Sequence, residues 1–149
     1  MASAEVFAEQ RHRMVETQIL ARGVRDQAVR TAMRTGPREA FVPSELRAWA
    51  YEDMPLPIGD RQTISQPYIV AWMTAALQLS PDDRVLEIGT GSGYAAAVLS
   101  GLAKTVYTVE RLETRVRHAC QCLRRLGYHN VCIHHADGTV GSVRIISRN

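Results

Sequence analysis

The stretch that most constrains this chain is Val85-Leu86-Glu87-Ile88-Gly89-Thr90-Gly91-Ser92-Gly93-Tyr94, a short apolar run that breaks into three alternating glycines. The Ala-rich segment Ala95-Ala96-Ala97 follows at once. Strand, glycine turn and helix N-terminus in this order build a crevice at the carboxyl end of a parallel sheet. Glycines there let backbone N–H groups approach a ligand without Cβ interference. The next pieces repeat the unit. Thr105-Val106-Tyr107-Thr108-Val109 is a β-branched run ending in Glu110, a helical pattern runs from Arg111 to Leu126, and Asn130-Val131-Cys132-Ile133-His134 is a third short strand. The succession β, α, β, α, β argues an α/β fold with a parallel sheet. Right-handed crossovers then put the strands at 84–88, 105–109 and 130–134 side by side in chain order, with the first one central in a complete sheet.

The glycine spacing bears on the ligand. A dinucleotide fingerprint is G-x-G-x-x-G, with its helix dipole facing a pyrophosphate. Here the third glycine comes one residue early and Tyr94 stands where the last would be. Together with the acid Glu87 this favours S-adenosylmethionine over NAD, and leaves a fragment of an NAD-dependent oxidoreductase as an alternative. The candidate cofactor residues are Glu87, Gly89, Thr90, Gly91, Ser92 and Gly93. Glu110, seventeen residues past Gly93 at the tip of the next strand, can accept both ribose hydroxyls of an adenosine cofactor. It can equally be an acid favoured at a helix start. Asp137-Gly138 follows the third strand, where the acid can accept the adenine amino group and the glycine leaves room for the ring. The same dipeptide is also an ordinary turn.

Upstream lie Tyr51-Glu52-Asp53-Met54-Pro55-Leu56-Pro57-Ile58-Gly59 and Gln62-Thr63-Ile64-Ser65-Gln66-Pro67-Tyr68-Ile69-Val70-Ala71, preceded by Arg13-Met14-Val15 and Phe41-Val42-Pro43. With the glycine turn, these resemble the protein-L-isoaspartate O-methyltransferase family, and the resemblance reaches almost everything up to Gly141. It implies a Rossmann-like S-adenosylmethionine-dependent fold with an N-terminal helical extension. It also implies methyl transfer to isoaspartyl carboxylates in damaged proteins, the ester then collapsing to a succinimide that opens in part to normal aspartate. Ser65 would orient the acceptor carboxylate as the catalytic residue, with Thr63, Ile64 and Gln66 beside the substrate. Ser65 could instead cap the helix that starts near Pro67. Arg61 departs from the family pattern, which has a small residue there, and is expected to crowd the substrate entrance.

The tail Ser142-Val143-Arg144-Ile145-Ile146-Ser147-Arg148-Asn149 is foreign to the pattern. The expectation is a chain cut short, by a shifted frame, an early stop or a natural shortening, with the first three parallel strands present and the C-terminal strands missing. A divergent fourth strand over Val143 to Ser147 is the other reading. The chain then divides into an extension and substrate side (1–80), a cofactor-binding half (81–141) and the tail (142–149). Such a chain is expected to be marginally stable and self-associating, with at best trace activity, and a cofactor-binding remnant without turnover stays open.

At 149 residues and 46% apolar composition, one domain with a core is expected. No apolar run is long enough to span a bilayer and the first residues are mixed in charge, so a cytoplasmic protein without membrane partners is expected. The net charge of +3 is local: residues 1–60 carry eight Arg against nine acids, and residues 61–149 carry ten basic residues against six acids. Arg111, Arg115, Arg117, Arg124 and Arg125 on one helix read as a solvated face, with no aromatic platform for nucleic acid. Cys120, Cys122 and Cys132 are wrongly spaced for zinc, and His134-His135 point to opposite faces of a strand, so no metal is expected. Oligomeric state is not legible. Helices are expected up to Gly23 and from the N-cap Asp26 to Met33, with an irregular Pro-rich stretch over 54–59 and a core-facing stripe of Ile69, Val70, Met73, Ala76 and Leu77.

Overall fold

The computed structural model describes residues 3–140. The tail from Gly141 on, and with it the expected chain ending and the fourth-strand alternative, lies outside the described residues. α1 (Ala4–Met14) starts at the Ser3 cap, runs without a break into a π-helical turn (Val15–Ile19) and a 3-10 turn (Leu20–Arg22), and stops at Gly23, whose φ of +93° suits the left-handed region. α2 (Gln27–Thr35) is capped by the Asp26 carboxylate, which accepts the Val29 N–H at 3.0 Å. Two 3-10 turns, Arg38–Phe41 and Ser44–Trp49, lead to a small hairpin of β1 (Leu56–Gly59) and β2 (Gln62–Ile64).

β1 corrects the expectation that 54–59 is irregular. Pro57 lacks a donor, but in a two-stranded hairpin every strand is an edge and that loss is tolerated. Asp60 and Arg61 both take positive φ, 52° and 56°, which is the two-residue turn whose twist matches a hairpin. α3 (Pro67–Ala76) follows, with Pro67 in its first turn.

The larger sheet is parallel, in the order β3 (Arg84–Ile88), β4 (Thr105–Glu110), β5 (Val131–His135), as the crossover argument requires. Val85 pairs with Val106 and Val106 with Val131. α4 (Tyr94–Ser100) and α5 (Glu113–Arg125) pack on the face that carries these valines, where Val85, Ala96, Leu99, Ala103 and Val106 form one buried cluster. A larger cluster joins Met14, Val15, Ile19, Val29, Met33 and Phe41 of the extension to Tyr94, Val98 and Leu123, so extension and sheet share one core.

Two expectations fail on packing. The α3 stripe is not core: Val70 is buried, but Ile69, Met73 and Leu77 are 38%, 58% and 54% exposed, beside the exposed Leu86 and Ile88 of β3. Nor is α5 a purely solvated arginine face, because Arg115 is buried and clamps the hairpin. Its Nε donates to Asp60 at 2.7 Å, its Nη1 to the Ile58 carbonyl at 2.5 Å, and its Nη2 lies 2.7 Å from His118 Nδ1. Arg111 precedes that helix. A second arginine, Arg38, is fully buried: its Nε donates to the Ala50 carbonyl at 2.7 Å and its guanidinium lies 5.0 Å from the Tyr94 ring centre. Burial lowers its pKa.

Candidate active site

The carboxyl tips of β3, β4 and β5 carry Glu87 to Gly89, Glu110 and Asp137 to one edge, because the three strands are parallel and in register. Gly89 leaves β3 at φ +93°, and a Cβ there would meet nothing within 4 Å, so the turn opens onto free space at this point. Gly91 and Gly93 also have positive φ. At Gly93 a Cβ would come within 3.3 Å of Ala119 and Leu123, so this glycine lets α4 close on α5 and serves packing.

The turn's N–H groups are mostly spent within the protein. Gly89 and Thr90 donate to the Val109 carbonyl at 2.8 and 3.2 Å, Gly93 donates to Thr90, and Gly91 donates to Glu110 Oε2 at 2.9 Å. This corrects the expectation of backbone N–H groups aimed at a ligand. What the turn supplies instead is space and the placement of Glu110. That side chain is 8% exposed, and its Oε1 accepts the N–H of Leu112, the residue capping α5, at 2.9 Å. Glu110 thus serves the helix start: one lone pair on each oxygen is taken by backbone, and the carboxylate still lines a cavity of about 290 Å3 with Gln62, Gly89, Arg111, Asp137 and Gly138.

Glu87, part-buried, ends a polar chain through the buried Thr108 and Thr90. Thr108 Oγ1 donates to Glu87 Oε2 at 2.6 Å, and Thr90 Oγ1 lies 2.6 Å from Thr108 Oγ1. Since Thr108 spends its proton on Glu87, Thr90 must be the donor in the second bond. Burial pushes the Glu87 carboxyl up to about 7, the Thr108 hydrogen bond opposing and the nearby Glu110 charge adding. Asp137 Oδ1 accepts the Thr139 hydroxyl at 2.6 Å and its N–H at 2.9 Å, which closes a turn and holds its pKa below the usual carboxylate range. At Gly138 a Cβ would be 2.5 Å from Ile88, so the glycine lets the 138–140 turn lie against β3 while still lining this cavity.

Ser65 lines a second cavity of about 370 Å3 with Ile69, Met73, Glu87, Ile88 and Gly89, so the two cavities share Ile88 and Gly89 as a common wall. Ser65 is not the helix cap. Gln66 holds that position, no side chain caps the helix, and the Ser65 hydroxyl makes no hydrogen bond among the described residues. The other segment residues diverge. Thr63 is exposed in β2 and Ile64 is a core residue, 3% exposed, away from the cavity it was expected to line. Gln66 donates to Asp53 Oδ1 at 2.7 Å, and Asp53 pairs with Arg22 at 3.0 Å, tying the loop before the hairpin to the first helix. Ser92 faces away from both cavities, its Oγ accepting the Tyr94 N–H at 3.2 Å.

Sequence reasoning missed Gln62, Arg111, Thr108 and the Arg115 clamp. Thr108 was findable, since a parallel register opposite Glu87 puts the two side chains on one face. The clamp had no local signal, because Asp60 and Arg115 are 55 residues apart.

A parallel sheet with a glycine turn at the first strand tip and a carboxylate at each of the next two ends defines the class: a Rossmann-like methyltransferase fold. The family model described as protein-L-isoaspartate(D-aspartate) O-methyltransferase matches residues 9–145, and the chain belongs to that family. It is 63% identical over 128 residues to protein-L-isoaspartate O-methyltransferase 2 of Pelobacter propionicus, covering 86% of this chain and 57% of that one. A solved protein-L-isoaspartate O-methyltransferase superposes with a TM-score of 0.74 at 31% identity, over 88% of this chain and 42% of the other. A Plasmodium falciparum chain crystallised with S-adenosyl-L-homocysteine shares the fold at a TM-score of 0.72 and 24% identity, over 85% of this chain and 62% of its own. The chain thus spans little more than half the length of curated relatives that it matches, 56% to 63%.

Proposed function

We propose that this chain carries the cofactor crevice and acceptor segment of a cytoplasmic S-adenosylmethionine-dependent methyltransferase that acts on isoaspartyl carboxylates of damaged proteins. The observation that carries this reading is the meeting of two cavities at Ile88 and Gly89, one walled by Glu110 and the other by Ser65. Glu110 would hold the ribose hydroxyls, with a free lone pair on each oxygen. Asp137 and the 138–140 turn would border the adenine, and Glu87 and Gly89 the methionine end. The cofactor supplies an activated methyl on a sulfonium. An isoaspartyl carboxylate is ionised at neutral pH and needs no base to become a nucleophile. The protein's part is therefore alignment and exclusion of water. Ser65, with its hydroxyl uncommitted, would donate to one carboxylate oxygen and leave the other to attack.

The test is transfer of a labelled methyl from S-adenosylmethionine to an isoaspartyl peptide, with the matching aspartyl peptide as control and cofactor binding followed by calorimetry. Selective labelling of the isoaspartyl peptide supports the reading. Cofactor binding without transfer identifies a binding remnant, and binding of NADH but not S-adenosylhomocysteine overturns the cofactor assignment. Ser65→Ala should lower turnover by roughly ten- to a hundredfold, the effect of one lost charge-assisted hydrogen bond, while cofactor affinity and Tm stay unchanged.

A further inference from the structure

A separate cavity of about 380 Å3 lies between the chain after α2 and one side of α5 from Arg115 to Arg125, and shares no lining residue with the two at the strand tips. One wall is apolar, built by Phe41, Val42, Pro43 and Ile58. Arg47, Arg115, His118 and Arg125 line it as well, and among the described residues no Asp or Glu does. Arg115 is matched by Asp60, but neither Arg47 nor Arg125 is in an ion pair among the described residues. These two come from different elements, the 3-10 turn Ser44–Trp49 and α5, and line the same cavity. Arg125 Nη2 is 3.9 Å from Cys122 Sγ, and Arg47 bears on the same thiol, each opposing the upward push of burial on it.

Two guanidiniums without an ion-pair partner among the described residues line one part-apolar cavity, and their planar forks fit the oxygens of phosphate or carboxylate. We propose that this cavity binds a small organic anion, its phosphate or carboxylate head held by Arg47 and Arg125 and its apolar body lying against Phe41, Val42 and Pro43. Gln121, which also lines the cavity, offers a neutral donor to the same head. This site is independent of methyl transfer.

The experiment is calorimetric titration of the 149-residue chain with phenyl phosphate and, separately, with inorganic phosphate. Phenyl phosphate should bind saturably and about tenfold more tightly than inorganic phosphate, because its ring gains the apolar wall. Arg47→Gln with Arg125→Gln should weaken binding at least about tenfold, and Gln121→Glu, which sets a like charge against the ligand, should do the same. All three positions are exposed, and circular dichroism verifies that the variants keep their fold. Saturating S-adenosylhomocysteine should leave the affinity unchanged whether or not the chain transfers methyl groups. Absence of saturable binding, equal affinity for the two phosphates, unchanged affinity in both variants, or competition by S-adenosylhomocysteine would each overturn the proposal.

Discussion

Two neighbouring carboxylates at the strand tips are held in opposite ways. Glu110 is fixed by two backbone N–H donors with a lone pair left on each oxygen, while Glu87 is part-buried against a threonine and pushed up to about 7. For Glu110→Ala, loss of hydrogen bonds to a charged acceptor should weaken cofactor binding by about ten- to a hundredfold in calorimetry. Unchanged affinity would remove Glu110 from the ribose role. At Glu87 the consequence is a pH dependence. Its folded-state carboxyl titrates above an ordinary glutamate, so the fold disfavours the ionised form. The resulting cost is absent below the ordinary value near 4.5 and grows as pH rises through about 7. Glu87→Gln keeps an acceptor for Thr108 and carries no charge. It should match the parent at pH 4.5 and be more stable by roughly 1–3 kcal/mol at pH 8, read as a widening gap in Tm. A gap that is constant with pH would show that Glu87 is not desolvated.

Among the elements, the β1–β2 hairpin governs the acceptor segment, since Ser65 leaves directly from β2. Arg115, Thr114 and Asp60 fasten it to α5, whose N-terminus also caps onto Glu110, so one helix references both sides of the site. Within the turn, Arg61 pays for its place: at φ +56° its side chain is strained. Arg61→Gly should therefore raise stability by roughly 1 kcal/mol, a few degrees in Tm, without altering cofactor affinity. A lower Tm would mean that Arg61 makes contacts outweighing the strain.

At the scale of the molecule, helices cover one face of the parallel sheet, and the described residues leave much of the other bare. Leu86 and Ile88 are 50% and 55% exposed and border Ile69, Met73 and Leu77 around the Ser65 cavity, with Trp72 exposed nearby. A contiguous apolar patch beside the open edge of β3 is a surface for association. The 149-residue chain should bind a hydrophobic reporter dye and self-associate with rising concentration. Trp72→Lys with Met73→Lys should reduce both, as read by light scattering. A chain that stays monomeric at high concentration and ignores the dye would contradict this.

The sequence by itself determined the strand, glycine turn and helix at 85–94, the parallel order of the three strands and the acid at each strand tip. These are set by local chemistry: glycine at positive φ, β-branched periodicity, and the register that parallel pairing forces on equal-length units. It also placed the Asp26 cap and the Gly23 stop, which involve neighbours only. What the tertiary structure alone decided are the contacts between distant segments. Ile64 turns into the core, Gly138 meets Ile88, the turn's N–H groups are taken by Val109 and Glu110, and Arg115 is drawn from a helix face to the hairpin. The α3 stripe shows the limit most plainly: helical spacing fixes which side chains share a face, whereas burial depends on what the rest of the chain lays against it.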